Sequence, residues 1–400
     1  MNYKNKDDLL RSIMAAVAIM VSGLIVNAGP VIAGAFAEGF SLDIAEIGNL
    51  LSLMMLASGI TMIALIFILK RLSPKKVMGI ATTGLICANL PMLHITDYHL
   101  LMSLFVIQGI ATGFIYSTAM ALLGESDNQD RAYGISQLLQ IIGAAAMVYI
   151  VPVFVFPFYG YQGVVIFLVV ANCTLYFTLK SLPNSFAQME EDQQQATIGH
   201  SSVKKRLPSF AGLLALFLCN GAITGIWMFA ERMGTDLNVT PNGIGLVLAV
   251  SVVISLMFTA VPIFMGDRLG RTLPTILSIS TVILGIAFLT MATEILGWGT
   301  GIVLLELGWA VMLPYLFAQI ADSDPTGKIV VIVPPVVGLS MAAGVSTVGQ
   351  LFDGNYNLAY MATVGALLVG AALFLYSNHS KINKDVNSNE GQPQGDLVLD

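Results

Sequence analysis

The chain has 400 residues, of which 56% are hydrophobic and only 10% charged, with a formal net charge of -6 and a mean hydropathy of +0.81. Soluble domains carry about 25% charged residues, so this composition excludes a soluble globule and makes a lipid bilayer the solvent. The acidic residues sit mainly in loops and tail, and nothing in the charge supports nucleic-acid binding.

Runs nearly free of Asp, Glu, Lys and Arg, long enough for the ~20 mostly apolar residues that cross the hydrocarbon, predict an all-α membrane protein with twelve transmembrane helices. In chain order they cover residues 13–37, 44–69, 76–94, 99–123, 134–156 and 161–181, then 209–231, 242–265, 272–292, 299–320, 329–350 and 356–377. Helices are required because backbone groups in lipid must pair within their own segment. The first apolar stretch is about twice the usual signal core, so it is expected to be an uncleaved helix. With the N-terminus inside, 17 of the 18 basic residues fall in cytoplasmic segments and only Arg232 lies outside. The positive-inside rule therefore places both termini in the cytoplasm. Residues 182–208, with Pro183, acidic Glu190-Glu191-Asp192 and basic Lys204-Lys205-Arg206, form a cytoplasmic linker between an N-terminal half (1–181) and a C-terminal half (209–377). Residues 378–400 are polar and expected to be a disordered cytoplasmic tail.

The two halves repeat. Residues 47–72 align with 244–269 at an offset of 197 without a gap, with identities at 8 of 26 positions, among them Gly48/Gly245 and Ser58/Ser255. The same offset brings Glu125-Ser126-Asp127 and Arg131 onto Asp322-Ser323-Asp324 and Lys328. An offset of 193 pairs Asn27 with Asn220, and Phe36-Ala37-Glu38 with Phe229-Ala230-Glu231. Six helices per repeat is an even number, so both halves enter from the same side as parallel repeats.

Between spans 8 and 9 stands Gly266-Asp267-Arg268-Leu269-Gly270-Arg271. With the twelve helices and the central linker, it resembles the cytoplasmic signature loop of the major facilitator superfamily (MFS) of secondary transporters, a resemblance that covers about residues 10–377. Its first-half copy, Lys70-Arg71-Leu72-Ser73-Pro74, lacks the Asp and both Gly residues. The resemblance implies the MFS fold, a multi-pass protein of the cytoplasmic (inner) membrane, and alternating access of a central site. It also implies a cytoplasmic gate built from Asp267, Arg268 and Arg271, with Asp127, Arg131, Asp324 and Lys328 as further members. Two departures bear on coupling. Where many proton-driven members have an Arg before the Gln108-Gly109 pair, this chain has Phe105, and Gly143-Ala144-Ala145-Ala146 lacks the Pro typical of drug antiporters.

Glu306 is the one Asp, Glu, Lys, Arg or His well inside a span, about 9 Å from the start of helix 10. Intramembrane carboxyls are costly to ionise and mark proton or substrate sites, which makes Glu306 the proton-coupling candidate; a structural acid bonded to a neighbouring helix is the competing reading. Asn27 and Asn220 lie near the midplanes of helices 1 and 7, where an amide serves either a polar solute or helix-helix contact. Gln108, Thr112 and Tyr116 share a helix face, Gln137 and Gln140 lie on helix 5, and Trp309 follows Glu306 by three residues as a possible cavity wall. Trp227 is expected to be an interface anchor. No Lys or Arg lies well inside a span, Lys76 and Lys180 standing at span ends, which disfavours phosphorylated solutes and leaves neutral, cationic or monocarboxylate ones. The cysteines Cys87, Cys173 and Cys219 have no metal-ligand spacing and read as small core residues.

The expectation is a secondary active transporter of a small organic solute, proton-coupled and monomeric, without cofactor or metal and not an enzyme. A multidrug efflux antiporter is the alternative within transporters. A non-transporting MFS-like sensor or partner subunit is the alternative outside them.

Overall fold

The computed structural model describes residues 3–95, 97–186, 203–259, 270–323, 332–352 and 356–389. Every described element is helical: α1 (Tyr3–Ser22), α2 (Leu24–Asn27), α3 (Gly29–Phe40), α4 (Ile44–Ile68), α5 (Pro74–Asn89), α6 (Tyr98–Gly124), α7 (Gln129–Ile150) and α8 (Phe156–Thr178) come first. After the linker follow α9 (Val203–Met228), α10 (Ala230–Asp236), α11 (Pro241–Thr259), α12 (Thr272–Thr290), α13 (Ile295–Ser323), α14 (Val333–Leu351) and α15 (Tyr356–Asn389), with short 3-10 turns between some of them. Nine helices among the described residues are long and apolar enough to cross a membrane.

That set differs from the predicted spans for identifiable reasons. Predicted span 1 is divided into α1–α3 by breaks at Gly23 (φ -88, ψ 0) and Ala28 (φ -104, ψ 26). Spans 5 and 6 run together as Arg131–Ser181. There Pro152, which lacks an N–H for the helical ladder, sits in a π-turn at Val151–Val155, and the chain redirects at Gly160 (φ 59, ψ -158), a conformation glycine tolerates without a Cβ clash. Pro, Ser, Gly and Gln residues lower the hydropathy of α14. At the other end of the chain, α15 runs to Asn389, so helix occupies residues 378–389 of the segment expected to be disordered tail.

Local signals explain several helix starts. Asp43 and Glu46 form a reciprocal capping box at the head of α4, with Glu46 N donating to Asp43 Oδ1 at 2.7 Å and Asp43 N donating to Glu46 Oε2 at 3.0 Å. Asp97 caps α6 through the Leu100 N–H and Asn128 caps α7 through the Arg131 N–H, each at 3.0 Å. Such caps satisfy backbone donors that have no intrahelical partner.

Large apolar side chains such as Phe67, Ile80, Phe158 and Met257 are exposed on the outer surface. On a soluble protein this would be an aggregation hazard; in lipid it is the solvated face. Because lipid tails are as apolar as leucine, helix association rests on close packing at small residues. Gly344 of α14 lies on the Gly221 carbonyl of α9, and Gly109 of α6 on the Met54 carbonyl of α4, so a methyl group at either would overlap a backbone oxygen.

The packing falls into two sets. Helix α1 packs on α6 and α7, and α4 and α5 on α6; separately, α9 packs on α13, α14 and α15, and α12 on α13. Contacts between the sets run through α4–α14, α7–α11, α3–α10 and α3–α9. The α4–α14 contact runs from Gly48 and Gly349, at the bundle end opposite the N-terminus, as far as Gly59 and Gly338. Gly48 lies 3.3 Å from the Val345 carbonyl and near Gly349, Ser346 Oγ donates to Asn49 Oδ1 at 3.4 Å, and Ser52 Oγ donates to the Ala342 carbonyl at 2.8 Å. Gly245 lies 3.3 Å from the Val148 carbonyl and 3.1 Å from Pro152, the distances being those a Cβ would have.

These contacts give the sequence repeat a spatial meaning. Gly48 and Gly245 are 197 apart, as are their partners Val148 and Val345, and Pro152 and Gly349. The same holds at the N-terminal end, where Ser12 Oγ donates to Ser126 Oγ at 3.3 Å and Ser209 Oγ donates to the Ser323 carbonyl at 2.6 Å, again 197 apart. One offset thus relates contacts at both ends of the bundle, both within the sets and between them.

Candidate functional site

Glu306 sits eleven residues into α13, which at 1.5 Å per residue is about 16 Å from its start and close to mid-helix. Its side chain is buried, and the Ser255 hydroxyl of α11 donates to its carboxyl. The repeat explains the placement: 197 residues earlier stand Gly109 and Ser58, also at an α6–α4 contact, so the carboxyl occupies a position that the first half fills with a glycine. No basic side chain lies among its described neighbours, and Ser255 is the one hydrogen-bond partner recorded for it.

Three residues farther along α13, the half-buried Trp309 donates its Nε1 hydrogen to Asn220 Oδ1 of α9 at 2.9 Å. Asn220 is fully buried, and its Nδ2 donates to Ser340 Oγ of α14 at 2.8 Å, while the Ser340 hydroxyl donates to the Val337 carbonyl at 2.7 Å. Both ends of the Asn220 amide are therefore occupied by protein. Of the two roles expected for this amide, these bonds are those of helix-helix contact: they tie three helices together and hold the Trp309 ring. Asn220→Leu is expected to cost about 1–3 kcal/mol, because it leaves the indole N–H and the serine hydroxyl without their partner. A lowered melting temperature and a shifted tryptophan emission would check this.

Asn27, the repeat counterpart of Asn220, differs in this respect. It is half-buried at the end of α2 and makes no side-chain hydrogen bond among the described residues. Thr112 Oγ1 donates to the Ser22 carbonyl at 3.4 Å, Tyr116 is half-buried on the same face, and Gln140 Nε2 reaches only its own helix at Ser136. Gln137 is exposed on α7. Met20 and Leu24 meet Gly143 of α7, which brings the α1–α2 face toward these glutamines.

Gln108, expected on the same face, is fully buried and donates through Nε2 to Asn89 Oδ1 of α5 at 2.8 Å, with Met92 Sδ at 3.7 Å. Asn89 is a partner that sequence reasoning missed; a polar residue near the end of an otherwise apolar span was its only signal. Trp227 is 8% exposed and lies in the core, so it is no interface anchor. Cys87 and Cys173 are exposed on the outer surface, and only Cys219 is a core residue.

At the N-terminal end, Arg271 pairs with Asp322 of α13 at 2.6 Å and donates to the Ala318 carbonyl at 2.9 Å. Asp322 is the acid of the repeated acid-Ser-acid motif that had not been singled out. Asp127 and Arg131 are exposed and form no ion pair among the described residues, whereas Asp267, Arg268, Asp324 and Lys328 lie outside them. In the first half the fastening uses other residues. Asp8 accepts from Ser126 Oγ at 2.8 Å and from Arg11 Nη2 at 3.1 Å. Partial burial pushes the Asp8 carboxyl up, but the hydrogen bonds from Ser126 and Arg11 outweigh it and hold it below the usual carboxylate range. A depressed carboxyl stabilises the folded contact above its unfolded pKa and loses that contribution as pH falls through the folded one. Acidification is thus expected to loosen α1 from the end of α6, and faster amide exchange there at low pH, absent in Asp8→Asn, would show it.

Among the described residues no group of His, Cys, Asp and Glu is arranged to hold a metal. The fold is shared with solved transporters. A mutant of the nucleoside transporter NupG matches with a TM-score of 0.74 and 14% identity, covering 93% of this chain and 99% of that one. A D-xylose-proton symporter matches at 0.73 and 14% identity over 92% and 97%, and a second NupG structure at 0.68 and 14% over 94% and 99%. No curated protein matches the sequence. The model of the Major Facilitator Superfamily matches residues 12–331, four-fifths of the length. The chain is a multi-pass membrane transporter, not an enzyme, and belongs to the Major Facilitator Superfamily.

Proposed function

We propose that this transporter moves a small organic solute by rocking two six-helix halves, twelve spans in all, about contacts at the end opposite its N-terminus, with protons as the coupling ion. The observation that carries this reading is the position of Glu306, a buried carboxyl at mid-helix with a serine partner and no neighbouring cation. Such a group exchanges a proton when water reaches it and is stable as the neutral acid when water does not. The charge pattern supports cytoplasmic termini in the inner membrane. On that orientation the halves meet at the outer end, and the N-terminal part of α7, where Arg131, Tyr133, Gln137 and Leu138 are exposed, lies toward the cytoplasm.

The solute meets Asn27, Tyr116, Gln137 and Gln140 on one side and the Trp309 ring on the other. The single polar atom of Trp309 is already bonded to Asn220, so the ring offers its apolar face. A neutral or weakly cationic solute with hydrogen-bonding groups suits this lining better than an anion, since no Lys or Arg lies well inside a span. The nucleoside and xylose carriers of like fold agree with uncharged polar solutes. Arg271 with Asp322 holds the cytoplasmic end of α13 to the turn before α12, as part of the inner gate.

The test is reconstitution of the purified protein in liposomes, with uptake of neutral, cationic and monocarboxylate solutes measured with and without an imposed pH gradient. Uptake that rises with the gradient supports the reading. Gradient-insensitive flux removes the proton, and no flux across the panel overturns transport of these classes.

A further inference from the structure

A cavity of about 570 Å³ lies at the closed end, between α3 and α4 on one side and α9, α10 and α14 on the other; Glu38, Asp43, Glu231, Arg232 and Gln350 are among its lining residues. Glu231 is the acid that the 193-residue offset pairs with Glu38, and the transport mechanism above does not use it. Its position is unusual. The chain breaks at Phe229 (φ -106, ψ 12) between α9 and α10, and this turn sends the Glu231 side chain across the boundary between the two packing sets. There one carboxyl oxygen, Oε2, fills the space beside the bare Cα of Gly34, where a methyl group would overlap it. The other, Oε1, accepts from Thr235 Oγ1 at 2.9 Å.

Burial disfavours the ionised form of this carboxyl, and so do Glu38 on α3 and Asp236 on α10, whereas Arg232 favours it; Asp43 at the head of α4 also lines the cavity. The one cation of the lining, Arg232, is engaged with Asp236 at 3.1 Å, and the Tyr356 hydroxyl of α15 donates to that same Asp236. An ionised Glu231 in the closed contact would be a carboxylate packed on a glycine backbone, facing Glu38, with one hydroxyl donor. Such a group is stabilised by taking a proton or by moving into water.

We propose that Glu231 is a proton-operated latch for this end of the transporter. The neutral carboxyl packs on Gly34 and holds α10 to α3; loss of one proton to the adjoining solution expels the carboxylate into the cavity and opens the end. The step balances as a single protonation, with one proton taken up on closing and released on opening. Acid on this side therefore favours the closed end, and alkali the open one. The latch is a second proton-sensitive site, on the opposite side of the membrane barrier from the Arg271–Asp322 fastening. It needs only that this end opens, so it rests on the alternating-access reading but not on the solute or on Glu306.

Ala33 lines the same cavity and is 3% exposed. With Cys87, Cys173 and Cys219 replaced by Ser, Ala33→Cys reports opening through its labelling by a charged maleimide in vesicles that present this end to the medium. Labelling would be followed from about pH 5 to about pH 9, alone and combined with Glu231→Gln, whose neutral amide mimics the protonated acid. Dividing one rate by the other removes the reagent's own pH dependence, since the cysteine is the same. The ratio is expected to rise at least about tenfold across the range, an effect of one pKa unit or more between open and closed ends. A ratio independent of pH overturns the latch. Should Glu231→Gln fail to fold, Gly34→Ala serves in its place, because its methyl displaces the carboxyl. Labelling is then expected to be fast at every pH relative to Ala33→Cys alone at acid pH, and slow labelling in that variant overturns the proposal. Loss of transport with the pH-dependent ratio intact would count against the proposed transport cycle and leave the latch standing.

Discussion

Glu306→Gln is expected to leave the protein folded and to abolish accumulation against a gradient while exchange of solute at equilibrium persists. Glutamine fills nearly the same volume, and its amide can still accept from Ser255, so the α11–α13 contact survives the change. What it cannot do is bind and release a proton. For one proton per solute, each pH unit across the membrane sustains about tenfold accumulation, 1.36 kcal/mol, and this ratio should fall to one in the variant. Gradient-driven accumulation that stays at the level of the unsubstituted protein would remove Glu306 from coupling and leave it as a buried acid bonded to a neighbouring helix.

Gly48→Leu and Gly245→Leu should each favour separation at the end opposite the N-terminus, and the pair should do so most. A Cβ at Gly48 would lie 3.1 Å from Phe229 and 3.3 Å from the Val345 carbonyl, and one at Gly245 would meet Pro152 and the Val148 carbonyl at like distances. Backbone oxygens cannot move aside, so the larger side chain wedges α4 from α14 or α11 from α7. Overpacking of this kind costs about 1–3 kcal/mol in the state that contains the contact, which corresponds to a shift of about 5- to 150-fold in the balance of two states. Labelling of single cysteines at the two ends measures it: sites at that end should gain reactivity as sites at the N-terminal end lose it. Equal reactivity in substituted and unsubstituted protein would show that these glycines do not bear on the equilibrium.

Most helix positions were legible because a span is a physical length of apolar sequence, and the repeat was legible because identical contacts constrain identical positions. Gly48 and Gly245 recur in the sequence because each must approach a carbonyl on the facing half. The break at Ala28 was less visible, since nothing local but the following Gly29-Pro30 marks it. The partner of Gln108 was hidden for a different reason. Spacing at i, i+4 and i+8 says that Gln108, Thr112 and Tyr116 share a helix face, but not which neighbour that face meets, and Asn89 lies on another helix. Asn220 is bound to residues 89 and 120 positions away, distances over which no periodicity carries information. The pairing of Glu38 with Glu231 could be seen as a repeat, yet its meaning needed Gly34 opposite.

Locking the end opposite the N-terminus tests the rocking account most directly. Asn49 and Ser346 already touch across the boundary at 3.4 Å, and in a background free of native cysteines Asn49→Cys with Ser346→Cys can be oxidised to a disulfide in liposomes. If solute crosses only when this end opens, oxidation should reduce flux to the background of protein-free liposomes, and a reducing agent should restore it. Undiminished flux with the disulfide fully formed would contradict alternating access about this contact.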